Sequence, residues 1–300
     1  MTEHSKSLIY VHAAIFLFGF SALFARLVDQ SAVVITFGRV LFSSVFLLVF
    51  LGCCRQNIRL KSKSDYSLIF AAGIILAIHW FCFIQSIQLS SVAIGTITFS
   101  TFPVFTSFLE PVFFRGKIKI RTVVCALIML VGVFIIAPIH EPQPNMKGEG
   151  SHLDDSESGQ RLMGIVVGLI SALTYAVLSL LNRRFSAKYR SEIIVFYEQG
   201  TAAIFLLPFI FALKPTITVN DLFLLAVLGI VFTAFAHGLF VKGLRHVEVS
   251  AAGIISGLEA VYAIILASVL LRETPALNEV AGGLIVIIAA GYMTLFNKTE

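Results

Sequence analysis

Charge is what this chain has least of. Asp, Glu, Lys and Arg supply only 13% of its 300 residues, about half the share of an ordinary soluble domain. Against 58% apolar residues, that shortage excludes a water-soluble fold, because no single core could withdraw so much apolar surface from solvent. Cysteine is scarce too. Cys53, Cys54, Cys82 and Cys125 lie inside apolar runs or at their ends, without a CxxC pair or a disulfide-framework spacing, so free thiols are expected. The adjacent Cys53 and Cys54 suit acylation, or equally the packing of small residues at a helix end. No HExxH, GxSxG, P-loop or dinucleotide fingerprint stands in a suitable context, so neither an enzyme nor a cofactor is expected. A filter loop and rings of charge are missing as well, which argues against a channel.

What the sequence does have is apolar runs near the roughly 20 residues that a helix needs to cross a hydrocarbon core. They fall at 8–28, 31–51, 66–87, 92–114, 120–139, 162–182, 192–213, 221–241, 249–271 and 277–296. They are too long and too close together for barrel strands, and in lipid a helix satisfies its own backbone. The first run could imitate a signal peptide. Its length, the lack of a small-residue cleavage site after Phe24 and the second run that follows directly predict that it is retained.

Assigning loops alternately to two sides places Lys6, Arg55, Arg59, Lys61, Lys63, Arg115, Lys117, Lys119, Arg121, Arg183, Arg184, Lys188, Arg190, Lys242, Arg245 and Lys298 together. The other side receives only Arg26, Lys147, Arg161, Lys214 and Arg272. Basic loops stay in the cytoplasm, so both termini are expected there, with the protein multi-pass in the cell (inner) membrane. The net charge of +5 thus reflects topology, and no nucleic-acid partner is expected, since the basic residues sit in short loops rather than on one folded face.

The longest polar stretch, residues 140–161, carries Glu141, Glu149, Asp154, Asp155 and Glu157 with Pro142 and Pro144, and reads as a disordered acidic linker on the non-cytoplasmic side. It separates five spans in residues 1–139 from five in residues 162–300. Five is odd, so the second half enters the membrane from the opposite side. At one constant offset His79 aligns with His237, Ala93 with Ala251 and Gly95 with Gly253, and an offset one residue shorter aligns Arg26 with Arg183. The expected fold is therefore an all-α polytopic membrane protein of ten transmembrane helices, arranged as two inverted five-helix repeats.

Ionisable residues deep in spans point to a pathway, since each costs about 2.5 to 3.5 kcal/mol at the bilayer centre on insertion scales. Glu259 lies well inside the ninth span with Ser256 and Tyr262 or Ala263 near it at helical spacing. Its alternatives are a protonated interhelical hydrogen bond and a cavity carboxylate that changes protonation or partner during a cycle. Arg39 in the second span suits an anionic substrate group, a carboxylate or a backbone carbonyl. Glu198 lies in the seventh span beside Tyr197 and Gln199. His79 and His237, as repeat mates, suit either a proton switch or a core hydrogen bond. No second ligand stands at metal spacing beside them, so no metal is expected.

Thr96, Ser100, Pro103, Ser107 and Glu110 share one face of the fourth span, and Ser171, Tyr175, Ser179 and Asn182 one face of the sixth. The first stripe could line a cavity or repair the kink that Pro103 imposes. Trp80 and Tyr175 are the aromatics first expected to touch a substrate. Gly164, Gly168, Ala172 and Ala176, with Gly253 and Gly257, allow close helix packing within the bundle or across a homodimer.

Three segments together carry a family resemblance: the Arg39 span, SSVAIGTITFSTFPVF (Ser90 to Phe105) and SAAGIISGLEAVYAIILASVLLRETP (Ser250 to Pro275). The chain resembles the ten-helix, EamA-type branch of the drug/metabolite transporter superfamily from about Leu8 to Phe296. It departs from that pattern at Ala260, where the family typically has proline, and at Arg115, Gly116 and Lys117, where it has a glutamate. The resemblance implies a secondary transporter of a small organic solute, often an exporter of an amino acid or other metabolite, working by alternating access through a cavity lined by both halves. An uncoupled exchanger or facilitator, or a non-transporting membrane scaffold, is the alternative.

The loop asymmetry generates a first test. Reporter fusions after Lys63, Arg121 and Lys188 should report the cytoplasm, and one near Asp155 the exterior. Inversion at two or more of these sites would overturn both the orientation and the inverted relation of the halves.

Overall fold

The computed structural model describes residues 2–90, 92–136, 155–271 and 277–296. Lys147, Arg272 and residues 140–154 of the acidic linker lie outside the described residues. All regular structure among the described residues is helical: α1 (Glu3–Leu27), α2 (Ala32–Cys53), α3 (Lys63–Leu89), α4 (Val92–Phe99), α5 (Phe102–Phe114), α6 (Ile120–Ile136), α7 (Asp155–Ser186), α8 (Ser191–Leu213), α9 (Val219–Gly229), α10 (Ala236–Gly243), α11 (Val249–Ser256), α12 (Leu258–Leu271) and α13 (Leu277–Phe296). A π-helical turn, Ile230–Phe235, joins α9 to α10 into one span. Helix α7 starts at Asp155, so the last part of the expected coil, residues 155–161, is helical instead.

Two spans read as continuous in the sequence are broken. The fourth consists of α4 and α5, the ninth of α11 and α12, and in both the first piece has eight residues. At the first break Pro103 has no N–H to give to the Phe99 carbonyl, and in the turn before it hydroxyls add to backbone bonds already made: Ser100 Oγ donates to the Thr96 carbonyl at 2.8 Å and Thr101 Oγ1 to that of Thr98 at 2.7 Å. At the second no proline is present. Gly257 instead makes a tighter turn, its N–H donating to the Ile254 carbonyl at 3.1 Å while its own carbonyl accepts from Ala260 N–H at 3.3 Å. Counting each broken pair as one span gives ten.

Contacts between the spans follow a two-fold pattern. Helix α3 packs on α7 as α10 packs on α1, α6 packs on α13, α2 packs on α8, and α5 meets α11. At the level of whole spans this set of pairings is unchanged when the two halves are exchanged, as expected for two inverted repeats. Large apolar side chains, among them Val112, Ile204, Phe211 and Ile288, face outward as a lipid-compatible belt.

Close approach is bought with glycine at two equivalent places. A Cβ on Gly73 of α3 would lie 2.8 Å from the Glu198 carbonyl of α8, and one on Gly229 of α9 would lie 2.7 Å from the Arg39 carbonyl of α2. Backbone cannot yield as a flexible side chain can. Gly229→Ala should therefore destabilise the protein by about 1 to 3 kcal/mol, whereas Gly200→Ala, whose Cβ meets open space, should leave the melting temperature unchanged or raised. Equal melting temperatures for the two variants in detergent would refute this account of the crossing.

Candidate functional site

The centre of the bundle is organised by Arg39, about two turns into α2. Its side chain is 1% exposed. The guanidinium carbon sits 3.3 Å from the centre of the Trp80 ring, Nε donates to Thr233 Oγ1 at 3.1 Å, and Nη2 donates to Ser21 Oγ at 3.2 Å. Charge-on-ring stacking and two hydrogen bonds thus replace much of its hydration. Thr233 belongs to the π turn, where its hydroxyl donates to the Leu228 carbonyl at 2.8 Å, five residues back. The wide turn fixes that hydroxyl's proton away from Arg39 and leaves its lone pairs facing the guanidinium.

Beside Arg39 lies a cavity of about 20 Å³ lined by Phe18, Ser21, His79, Trp80, Phe83, Phe99, Tyr175 and Glu259. That is room for one water molecule. A narrower crevice lined by Thr96, Phe99, Ser100, Phe102, Pro103, Met129, Gly253, Ser256, Gly257 and Glu259 runs between the two helix breaks. Glu259 and Phe99 line both. Glu259 is 7% exposed, faces these spaces, and attracts Arg39 electrostatically. Among the described residues Arg39 makes no ion pair.

The aromatic wall is continuous. Tyr175 stacks on His79 with centroids 4.6 Å apart and meets Phe102 edge-on at 5.0 Å, while His79 lies 4.9 Å from Trp80. His79 also bonds across to α7, with Nδ1 3.0 Å from both the Ser171 carbonyl and the Ser171 hydroxyl. It therefore combines the core hydrogen bond expected of a buried histidine with a place in the lining. The structure brings together Arg39, His79, Trp80, Ser100, Tyr175 and Glu259. Ser100 contributes mainly its backbone and methylene, since its hydroxyl is turned back to Thr96.

Glu198 and His237 lie apart from this lining. Glu198 Oε2 is 3.1 Å from His237 Nε2, and both side chains are fully buried. Sequence reasoning also missed Ser21 and Phe99. Ser21 is the lone hydroxyl in the Phe-rich run of α1, and Phe99 immediately precedes the first break. The fourth-span stripe divides by role: Thr96, Ser100 and Pro103 reach the crevice, while Glu110 is a structural clamp.

That clamp closes the end of the bundle carrying the basic loops. The Glu110 carboxylate pairs with Arg183 of α7 and accepts from the backbone N–H groups of Val249 and Ser250, both at 2.9 Å, at the start of α11. Lys119 pairs with Glu248 at 2.7 Å beside it. Asp65 accepts from Lys188 at 3.1 Å and from the Tyr189 hydroxyl at 2.6 Å. At the opposite end the described links are fewer. Gln30 donates to the Thr216 carbonyl and to Asp221, and Gln88 donates to the Gln30 carbonyl.

Comparison with known proteins agrees with this architecture. The profile of the EamA-like transporter family matches twice, over residues 5–137 and 162–295. The uncharacterized transporter YxxF of Bacillus subtilis (strain 168) is 25% identical over 302 residues, an alignment covering 99% of this chain and 91% of that protein. An uncharacterized transporter of Archaeoglobus fulgidus is 23% identical over 271 residues, 90% of each chain. One crystal structure superposes with a TM-score of 0.77 over 97% of both chains at 16% identity, a shared fold. With two profile matches that together span both halves, the chain belongs to the EamA-like transporter family.

Proposed function

We propose that the protein is a secondary transporter that exports a small organic solute, an amino acid or another charged metabolite, by alternating access between its two halves. One observation carries this: Glu259 stands where both helix breaks and both cavities meet, walled by residues of both repeats and facing a buried arginine that forms no ion pair among the described residues. Discontinuous helices at a repeat interface are the usual setting of a transporter's binding site. On this reading Arg39 receives an anionic group of the solute and Glu259 a cationic one, so that Glu259 exchanges its attraction to Arg39 for the solute. The aromatic side chains of Trp80, Phe99 and Tyr175 would contact the solute's body.

A space that holds one water does not admit a metabolite, so binding requires the aromatic wall to part. The helix breaks supply joints for that movement, because neither depends on an unbroken hydrogen-bond ladder. The basic end is assigned to the cytoplasm on the excess of Lys and Arg in its loops. The ion pairs at that end would then form the cytoplasmic closure.

Purified protein screened against a metabolite library should show thermal stabilisation by at least one solute, since a ligand present at about a hundredfold over its Kd adds about 2.7 kcal/mol. Glu259→Gln and Arg39→Ala should each weaken that ligand at least tenfold. The same substitutions should abolish its transport in proteoliposomes, whereas Arg59→Ala in a basic loop should leave both readouts unchanged. Wild-type affinity in folded Glu259→Gln and Arg39→Ala would eliminate the central cavity as the binding site.

A further inference from the structure

The second half contains a buried polar group that the solute cavity does not use. Glu198 of α8 and His237 of α10 are both 0% exposed and bonded to each other at 3.1 Å through Oε2 and Nε2. Asn182 of α7 stands beside the Glu198 carboxylate, and Ser179 lies on the same face one turn earlier. Glu198 Oε1 and His237 Nδ1 are buried without a hydrogen-bond partner, while Asn182 lies within reach of the Glu198 carboxylate and Ser179 within reach of Tyr175, neither closing a bond of good geometry. Buried polar atoms are normally satisfied, and several orphans in one place mark an exchangeable occupant.

The chemistry of the donors decides what that occupant is. An alkali or alkaline-earth ion wants six or so oxygen ligands, and here one carboxylate oxygen already faces the imidazole. The orphaned oxygens are Glu198 Oε1, Asn182 Oδ1 and Ser179 Oγ, and even with Gln199 Oε1 and Thr201 Oγ1 of α8 they fall short of what such an ion needs. A proton needs only the pair itself, with a water bridging the orphaned atoms. Sealed from water, the pair is least costly with a single shared proton and no net charge.

The position permits exchange. Glu198 is about two turns from the start of α8 and His237 about two turns from the end of α10, both nearer the basic end than the far one. Charged and titratable groups surround the pair. Tyr175 of α7 feels Glu198 and His79 of α3 feels His237. Arg39 of α2 is held one turn away by Thr233. Lys242 lies further along α10 against Tyr10 of α1.

We propose that Glu198 and His237 form a proton-binding site, separate from the solute cavity, that loads and unloads as the basic end closes and opens. It rests on the carrier reading above. Closed, the pair holds one proton between carboxylate and imidazole. Opened to water, that proton passes to solvent, leaving the carboxylate and a neutral imidazole, both hydrated. The state of the pair reaches the cavity through one face of α7, because Tyr175, Ser179 and Asn182 share that face and Tyr175 stacks on His79.

The probe is the proton itself, and Trp80, the sole tryptophan, is the reporter in the cavity. Full-length protein in lipid nanodiscs is titrated from about pH 5 to about pH 8 and followed by infrared difference spectroscopy and by Trp80 emission. The expected result is a carboxylic-acid C=O band that titrates in the wild type and disappears in Glu198→Gln. In His237→Gln the band should remain, with its midpoint moved by at least one pH unit. Trp80 emission should change with the wild-type midpoint and lose that transition in Glu198→Gln. A wild-type band that survives unchanged in folded Glu198→Gln overturns the proposal. Should that variant fail to fold, an unmoved midpoint in His237→Gln overturns it. A midpoint displaced by sodium in place of choline overturns it in favour of a metal cation. Thermal stabilisation by a solute reads the carrier function independently. Stabilisation without the band sinks the proton site alone, and the band without any stabilising solute sinks the carrier reading alone.

Discussion

A guanidinium taken out of water must be paid for by its surroundings, and the packing around Arg39 is arranged to do so. The penalty for burying such an ion is several kcal/mol after relaxation. Trp80 offers its ring face, Ser21 and Thr233 offer hydroxyl oxygens, and these come from α3, α1 and the π turn of the opposite repeat. Each partner depends on a further local feature. Thr233 is aimed by the π turn, and the turn can lie against α2 because Gly229 has no Cβ to strike the Arg39 carbonyl. Removing any of these would leave a charge in the interior with less than it needs, so one residue ties four elements and both halves together.

The repeats share a scaffold and differ in chemistry. Arg39 in the second span has as its rough counterpart Glu198 in the seventh, and His79 in the third has His237 in the eighth. In the first half the histidine lines the cavity and bonds to Ser171. In the second half the histidine turns to its neighbouring acid and the two shut themselves away from the cavity. The repeated scaffold places an ionisable group at corresponding points of the two halves. One copy of the position faces the cavity and the other forms a closed pair.

Much of this was legible in the sequence because lipid imposes a simple code: span length, loop charge and an odd number of spans per half follow from hydropathy alone. The gathering of Glu259, Arg39, His79, Trp80 and Tyr175 was partly legible, since polar or aromatic residues in mid-span are rare enough to attract notice. The first helix break was legible only as a kink at Pro103, and the second was not legible at all. Phe99, Thr101 and Gly257 keep the hydropathy of a continuous span, and Ala260 removes the proline that would have announced the second break. The π turn left no compositional trace either, because its cause is the partner it serves. Glu110 read as one more member of a polar stripe, although its three bonds go to two other helices. The pairing of Glu198 with His237 is a tertiary fact, as the two belong to different helices.

The two kinds of electrostatic contact differ in how easily they can be undone. At the basic end Lys119 and Lys188 are 51% and 43% exposed, and pairs open to water contribute only about 0 to 1 kcal/mol each, because water replaces a lost partner at once. Arg39 has no such substitute: separating it from Thr233 and Trp80 in the dry interior would forfeit several kcal/mol. If the bundle opens toward one side and then the other, as proposed, it would part at its wet end and keep Arg39 on Thr233 and Trp80 while Phe99 and Tyr175 move aside for the solute. On that proposal the Arg39 cluster would act as the pivot, and the helix breaks beside it would absorb the change in angle. Glu110 is the intermediate case, only 10% exposed yet bonded to a side chain and two backbone donors at once. Its release requires water to reach the start of α11, which makes hydration of the basic end the step on which opening would turn.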